Sequence, residues 1–152
     1  MGELLLNVAA TMSRSRANGP GVRAVIWVQG CTIGCPGCYS APTHPHTAAS
    51  LVKPSEISEW LLSIPNIEGV TFSGGEPFEQ SAAVLETIKL FRQQRPTLTV
   101  FAFSGHTYKE LLTSIDHSVT ELLHHCDIVS TGPFVSQLRD QSLLWRGSSN
   151  QE

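Results

Sequence analysis

Three cysteines, Cys31, Cys35 and Cys38, fall in the stretch CTIGCPGC with the spacing C-x-x-x-C-x-x-C. Thiolates so placed are ligands for zinc or for an iron–sulfur cluster. A closed structural zinc site takes four ligands, and an open position marks a metal that does chemistry rather than one that staples a fold. In a four-iron cluster, three thiolates hold three irons and leave the fourth able to accept a ligand from outside. On spacing alone two other readings stand. One is zinc completed by His44, His46 or Cys126, and the other is a two-iron ferredoxin site, whose C-x4-C-x2-C loop is one residue longer. Cys126 lies on an apolar helical stripe, which suits a buried thiol better than a ligand.

The rest of the chain sets the bounds on that chemistry. Its 152 residues allow one domain around one core, taken as residues 1–152. Ten basic residues scattered through a chain of net charge −3 give no footprint for nucleic acid. The apolar run Leu4-Leu5-Leu6 is too short for a leader or a membrane span. We expect a cytoplasmic protein, and in a reducing compartment four clustered cysteines are metal ligands or reactive thiols sooner than disulfides.

Periodicity then places the cysteines on elements. Residues 23–29 form an apolar β-type run that ends at Gly30-Cys31. Ile57, Trp60, Leu61 and Ile64 mark a helix stopped by Pro65, and residues 69–73 a strand running into Gly74-Gly75. Val84, Leu85, Ile88 and Phe91 share the face of a second helix, and residues 98–103 are strand-like. Thr107 to Glu110 has the form of a capping box, with a stripe from Tyr108 to Ile115. Val119 to Cys126 repeats the helical spacing before a strand at 127–130. Alternating strands and helices predict a parallel sheet with helices outside it. Ligands gather at the carboxyl ends of such strands, so the cysteine loop, Ser73-Gly-Gly-Glu-Pro77 and Ser104-Gly-His-Thr107 should converge.

With these motifs in order, the chain resembles the radical S-adenosylmethionine (SAM) superfamily. Within it, Asn18-Gly-Pro-Gly-Val-Arg23, the CPGCY ending of the cysteine loop, TFSGGEP at 71–77, Gly132-Pro-Phe134 and SLLWRGSSNQ at 142–151 are similar to the activating proteins of anaerobic ribonucleotide reductases. The resemblance implies an α/β fold, an incomplete (β/α) barrel, since about 250 residues are usual for a closed one. It implies a [4Fe-4S] cluster on Cys31, Cys35 and Cys38, with SAM bound by Tyr39, Ser73, Gly74, Gly75, Glu76 and Ser104. Glycines at 74 and 75 suit a backbone whose amides approach a ligand. Gly19, Gly21, Arg23 and Arg146 would line the site or meet the partner.

The activity implied is reductive cleavage of SAM to methionine and a 5′-deoxyadenosyl radical, which takes hydrogen from a glycine of the partner. That partner would be a glycyl-radical protein, an anaerobic ribonucleotide reductase, and the electron donor a flavodoxin or ferredoxin. Two departures from the family pattern concern the partner more than the cofactor. Ser104-Gly105-His106 stands where a threonine, a glycine and an aromatic residue are usual, and Thr131 stands where Asp is common. Three readings thus follow: a reductase activase, a radical SAM enzyme with another protein or peptide target, and a non-catalytic zinc or iron–sulfur module.

Overall fold

The computed structural model describes residues 3–38 and 40–152. Its strands are β1 (Leu6–Ser15), β2 (Arg23–Val28), β3 (Ser50–Val52), β4 (Gly69–Gly74), β5 (Thr99–Phe103) and β6 (Ile128–Ser130). The helices are α1 (Pro54–Leu62), α2 (Ser81–Gln94), α3 (Tyr108–Leu112) and α4 (His117–His125). All six strands form one sheet in the order β3-β1-β2-β4-β5-β6. Strands β2, β4, β5 and β6 are parallel, as the alternation predicts and as an incomplete (β/α) barrel requires. Strand β1 is antiparallel to β2, and β3 to β1, so the parallel pattern does not extend to the first part of the chain. Periodicity does not mark residues 6–15 as a strand because, beyond Val8, they bury little and show no clean alternation.

The parallel strands have two different faces, because successive side chains point to opposite sides. One carries Ala24, Ile26, Val28, Val70, Phe72, Val100 and Ala102 into a core shared with Ile57, Leu61, Val84, Ile88, Phe91, Leu122 and Leu123 of the helices. The other carries three rows set by the strand register. Arg23 lies beside Gly69 and Thr99, Val25 beside Thr71 and Phe101, and Trp27 beside Ser73, with Phe103 beside Ser130 further along.

The helical stripe expected to reach Ile115 stops sooner. Helix α3 ends at Leu112, and Ile115 is 99% exposed. Thr107 does cap it, accepting a hydrogen bond from the Glu110 amide at 3.1 Å. The Glu110 carboxylate instead meets His106 Nδ1 at 3.2 Å, so only half of the capping box forms.

Two segments close over the second face of the sheet. Below, Asn18 O accepts a bond from the Thr71 hydroxyl at 2.8 Å. Gly19, at φ +137°, lies so close that a Cβ there would come within 2.9 Å of both Arg23 and Phe101. At the carboxyl side, Trp145 stands edge-on to Phe101 with centroids 5.8 Å apart, and its carbonyl accepts from Ser130 Oγ at 2.8 Å. No helix among the described residues is long and apolar enough to cross a membrane.

Candidate active site

The cysteine loop begins where β2 runs out. Gly30, at φ +113°, turns the chain, and its amide donates to Thr43 O at 2.7 Å while the Cys31 amide donates to His44 O at 2.9 Å. The loop is thereby folded against residues 41–46. Within it the Cys38 amide donates to Cys35 O at 3.1 Å. All three thiols are free and half-buried.

The Ser73–Glu76 segment is fixed against this loop by backbone. The Gly75 amide donates to Val28 O and the Glu76 amide to Gly30 O, each at 2.8 Å. A Cβ on Gly75 would come within 2.3 Å of Gly30 O, so no other residue permits this crossing. This corrects the physical reason expected for the glycines. The amides of Gly75 and Glu76 are already bonded to the β2 end, and the glycines serve contact between two loops.

Glu76 ties in the third loop. Its side chain is 1% exposed and accepts bonds from the Ser104 hydroxyl (2.9 Å), the Gly105 amide (2.8 Å) and the Phe78 amide (3.1 Å). Burial pushes its carboxyl above the ordinary range, against the pull of those three donors and of nearby His106. Ile33 of the cysteine loop rests on Gly105, where a Cβ would come within 2.5 Å of it. Each of the three loops thus touches the other two.

They enclose a cavity of about 410 Å³ that takes in Cys31, Cys35, Cys38, Ser73, Gly74, Gly75, Glu76, Ser104 and Arg146. The structure therefore brings together most of the predicted site. Tyr39 lies outside the described residues. Gly19, Gly21 and Arg23 do not line the cavity, contrary to the site-lining expectation. They lie near the amino ends of the parallel strands and support the sheet. Arg23 is 1% exposed and spends all five N–H groups on Thr71 Oγ1, Pro20 O, Thr99 Oγ1, Val70 O and Thr99 O. Gly69 leaves room for it, since a Cβ there would come within 2.4 Å of the guanidinium. Gly21 makes room for Glu68, which accepts from the Val22 amide at 2.7 Å.

Sequence reasoning missed Asn18, Trp27, Phe103 and Ser130, which also line the cavity. The signal was available, because Trp27, Ser73, Phe103 and Ser130 share the strand parity opposite the apolar core. The terminal WRGSSNQ segment is fastened by Gln151, whose Oε1 accepts from the Gly147 and Ser148 amides and whose Nε2 donates to Gly132 O at 2.8 Å. Thr131, at the position of the family's Asp, is 2% exposed, and its backbone pairs with that of Glu152 at 2.7 and 2.9 Å.

Among the described residues, no group of three or more His, Cys, Asp and Glu side chains is drawn together as ligands of one metal ion. The fit to a cluster rests on donor chemistry, since three soft thiols open onto one cavity, as iron–sulfur ligation asks. Burial raises the Cys31 thiol above its ordinary range, against the amides of Gly34 and Ile33, with Glu76 and Glu79 pushing the same way as burial. Iron would supply the charge that turns it to thiolate. Of the candidate fourth ligands, His44 lines the cavity and His46 pairs with Glu79 at 3.1 Å. Cys126 packs against the apolar core, and burial pushes its thiol up to about 12.

Comparison with known proteins places the chain in a family. The family model for a 4Fe-4S single cluster domain matches residues 17–152. Anaerobic ribonucleoside-triphosphate reductase-activating proteins are 32% identical in Escherichia coli K12 and 31% in Vibrio cholerae, each covering 88% of this chain and 88% of the relative. The one from Enterobacteria phage T4 is 28% identical over 88% of this chain and 84% of its own. The crystal structure of QueE from Escherichia coli shares the fold, with a TM-score of 0.51 at 15% identity over 69% of this chain. The match spans about half of QueE, 54%. The chain carries a 4Fe-4S single cluster domain and belongs to the family of anaerobic ribonucleoside-triphosphate reductase-activating proteins.

Proposed function

We propose that this chain, residues 1–152 acting as one domain, is a cytoplasmic enzyme that cleaves SAM reductively and generates a glycyl radical on an anaerobic ribonucleotide reductase. The observation that carries the proposal is the meeting of Cys31, Cys35 and Cys38 with Gly74, Gly75, Glu76 and Ser104 around one cavity at the carboxyl ends of β2, β4 and β5. The family's curated names, which are those of reductase activators, support the partner.

In this reading Cys31, Cys35 and Cys38 would hold a four-iron cluster with one position left open for SAM. When reduced, the cluster would supply the electron for cleavage of the sulfonium, the chemistry that lets the deoxyadenosyl group take hydrogen from a glycine α-carbon. The chain's own residues do the positioning. Glu76, fixed by Ser104 and Gly105, presents a buried carboxyl to the cavity, where it would accept a hydrogen bond from the methionyl amino group. Trp27, Ile33, Phe103 and Phe134 give the cavity apolar walls that keep water from a reactive radical. Tyr39 follows the third cysteine in sequence and is proposed at the adenine. Arg146, exposed at the cavity and donating to Gln151 O at 3.2 Å, is placed to meet a partner loop. Gly19, Gly21 and Arg23 brace the sheet beneath. The electron would come from a flavodoxin or ferredoxin.

The test is to mix the anaerobically reconstituted protein, SAM and dithionite with the cognate reductase. We expect 5′-deoxyadenosine and a glycyl doublet in the electron paramagnetic resonance (EPR) spectrum. Deoxyadenosine without the doublet would move the target to another protein or peptide. Zinc at full occupancy with no iron would remove the enzyme reading.

A further inference from the structure

Glu79 grips the cysteine loop from outside the cysteine and SGGE motifs. It lies in the short 3-10 turn Pro77–Gln80 that Glu76 caps. Its Oε1 accepts from the Thr32 amide at 2.9 Å and from the Thr32 hydroxyl, between Cys31 and Cys35. Its Oε2 meets His46 Nε2 at 3.1 Å. The His46 ring in turn lies on the turn glycine, since a Cβ on Gly30 would come within 2.8 Å of its Cδ2. One carboxylate therefore fastens the loop at Thr32 directly and at Gly30 through the imidazole. The neighbouring Gln80 donates to Gln29 O at 3.0 Å, which fixes the strand end on which the loop begins.

Glu79 is not among the residues that line the cavity, so its effect on bound SAM is indirect. Its bonds to Thr32 and His46 outweigh its burial and hold it as an anion. A fixed negative charge beside a cysteine ligand opposes the gain of an electron by iron. A lower potential makes a stronger reductant, which sulfonium cleavage demands.

We propose that Glu79 is a positioning residue with two separable effects: it clamps the loop between Cys31 and Cys35, and it holds down the reduction potential of the cluster bound there. The inference rests on the cluster assignment made under Proposed function. Its test compares wild type, Glu79→Gln and Glu79→Ala after anaerobic reconstitution, reading iron and sulfide content, resistance to a chelator, and midpoint potential by EPR-monitored titration. Gln keeps a carbonyl acceptor for Thr32 but lacks the charge. We expect Glu79→Gln to keep wild-type iron with a more positive potential. Glu79→Ala should show the same shift and also hold iron about tenfold more weakly, the usual cost of losing an outer-shell partner. A wild-type potential in Glu79→Gln, or wild-type chelator resistance in Glu79→Ala, overturns the proposal while leaving the cluster assignment intact. Absence of iron from the wild type itself overturns both.

Discussion

The two faces of the parallel strands solve different problems with the same backbone. On the helix side, Ile26, Val28, Phe72 and Val100 are buried among apolar neighbours from all four helices. On the other side, Arg23, Thr71 and Phe101 are buried just as deeply, yet their partners are a loop at Asn18–Gly19 and a terminal segment around Trp145. Toward the carboxyl ends that cover stops, and Trp27, Ser73, Phe103 and Ser130 face the cavity. One face makes the fold stable, and the other keeps room for a ligand above a braced floor. Polar bonds specify that floor, whereas burial alone suffices for the core.

Substitutions on the two faces should therefore fail in different ways. The largest effect is Cys35→Ala, which should abolish cluster assembly while circular dichroism and the urea midpoint of the metal-free protein stay near wild type. Phe72→Ala, on the helix face, should cost about 3–5 kcal/mol in urea unfolding, the usual range for a buried phenylalanine. Ser104→Ala should cost about 1–3 kcal/mol, because it removes one of the donors that offset the burial of Glu76. Comparable SAM affinity in that variant, measured by equilibrium binding, would show that Glu76 is positioned without Ser104.

The smallest effect concerns Cys126. Its substitution by Ala should leave iron content unchanged and shift stability by no more than about 1 kcal/mol. Its pH signature is more specific. Burial raises the folded-state thiol from an ordinary value near 9 to about 12. The folded chain then keeps a proton that the unfolded chain gives up, so this contribution to stability is whole below pH 9 and falls as pH rises toward 12. Cys126→Ala should remove that part of the slope in urea titrations.

Much of this was legible in the chain, for identifiable reasons. Residues 23–29 are an apolar run that ends at Gly30, residues 69–73 a short strand that runs into Gly74-Gly75, and their carboxyl ends carry the motifs. Strands β1 and β3 were not legible. Residues 10–14 are exposed and β3 has three residues, so neither writes a pattern of burial into the sequence. The helix expected through Ile115 failed because its last apolar residue packs on nothing. Within the site, cysteines and glycines announced themselves by type. Glu79 and Gln151 did not, because a carboxylate or amide that ties loops together looks in sequence like any surface residue.

In the proposed function three cysteine thiolates leave one iron free to bind SAM. Pulsed EPR on the reduced, reconstituted protein, with SAM labelled in its methionyl amino and carboxylate groups, decides whether that iron is open. We expect hyperfine coupling between the cluster and both labels. A cluster that couples to a fourth protein ligand such as the imidazole of His44, and to neither label, would contradict the account.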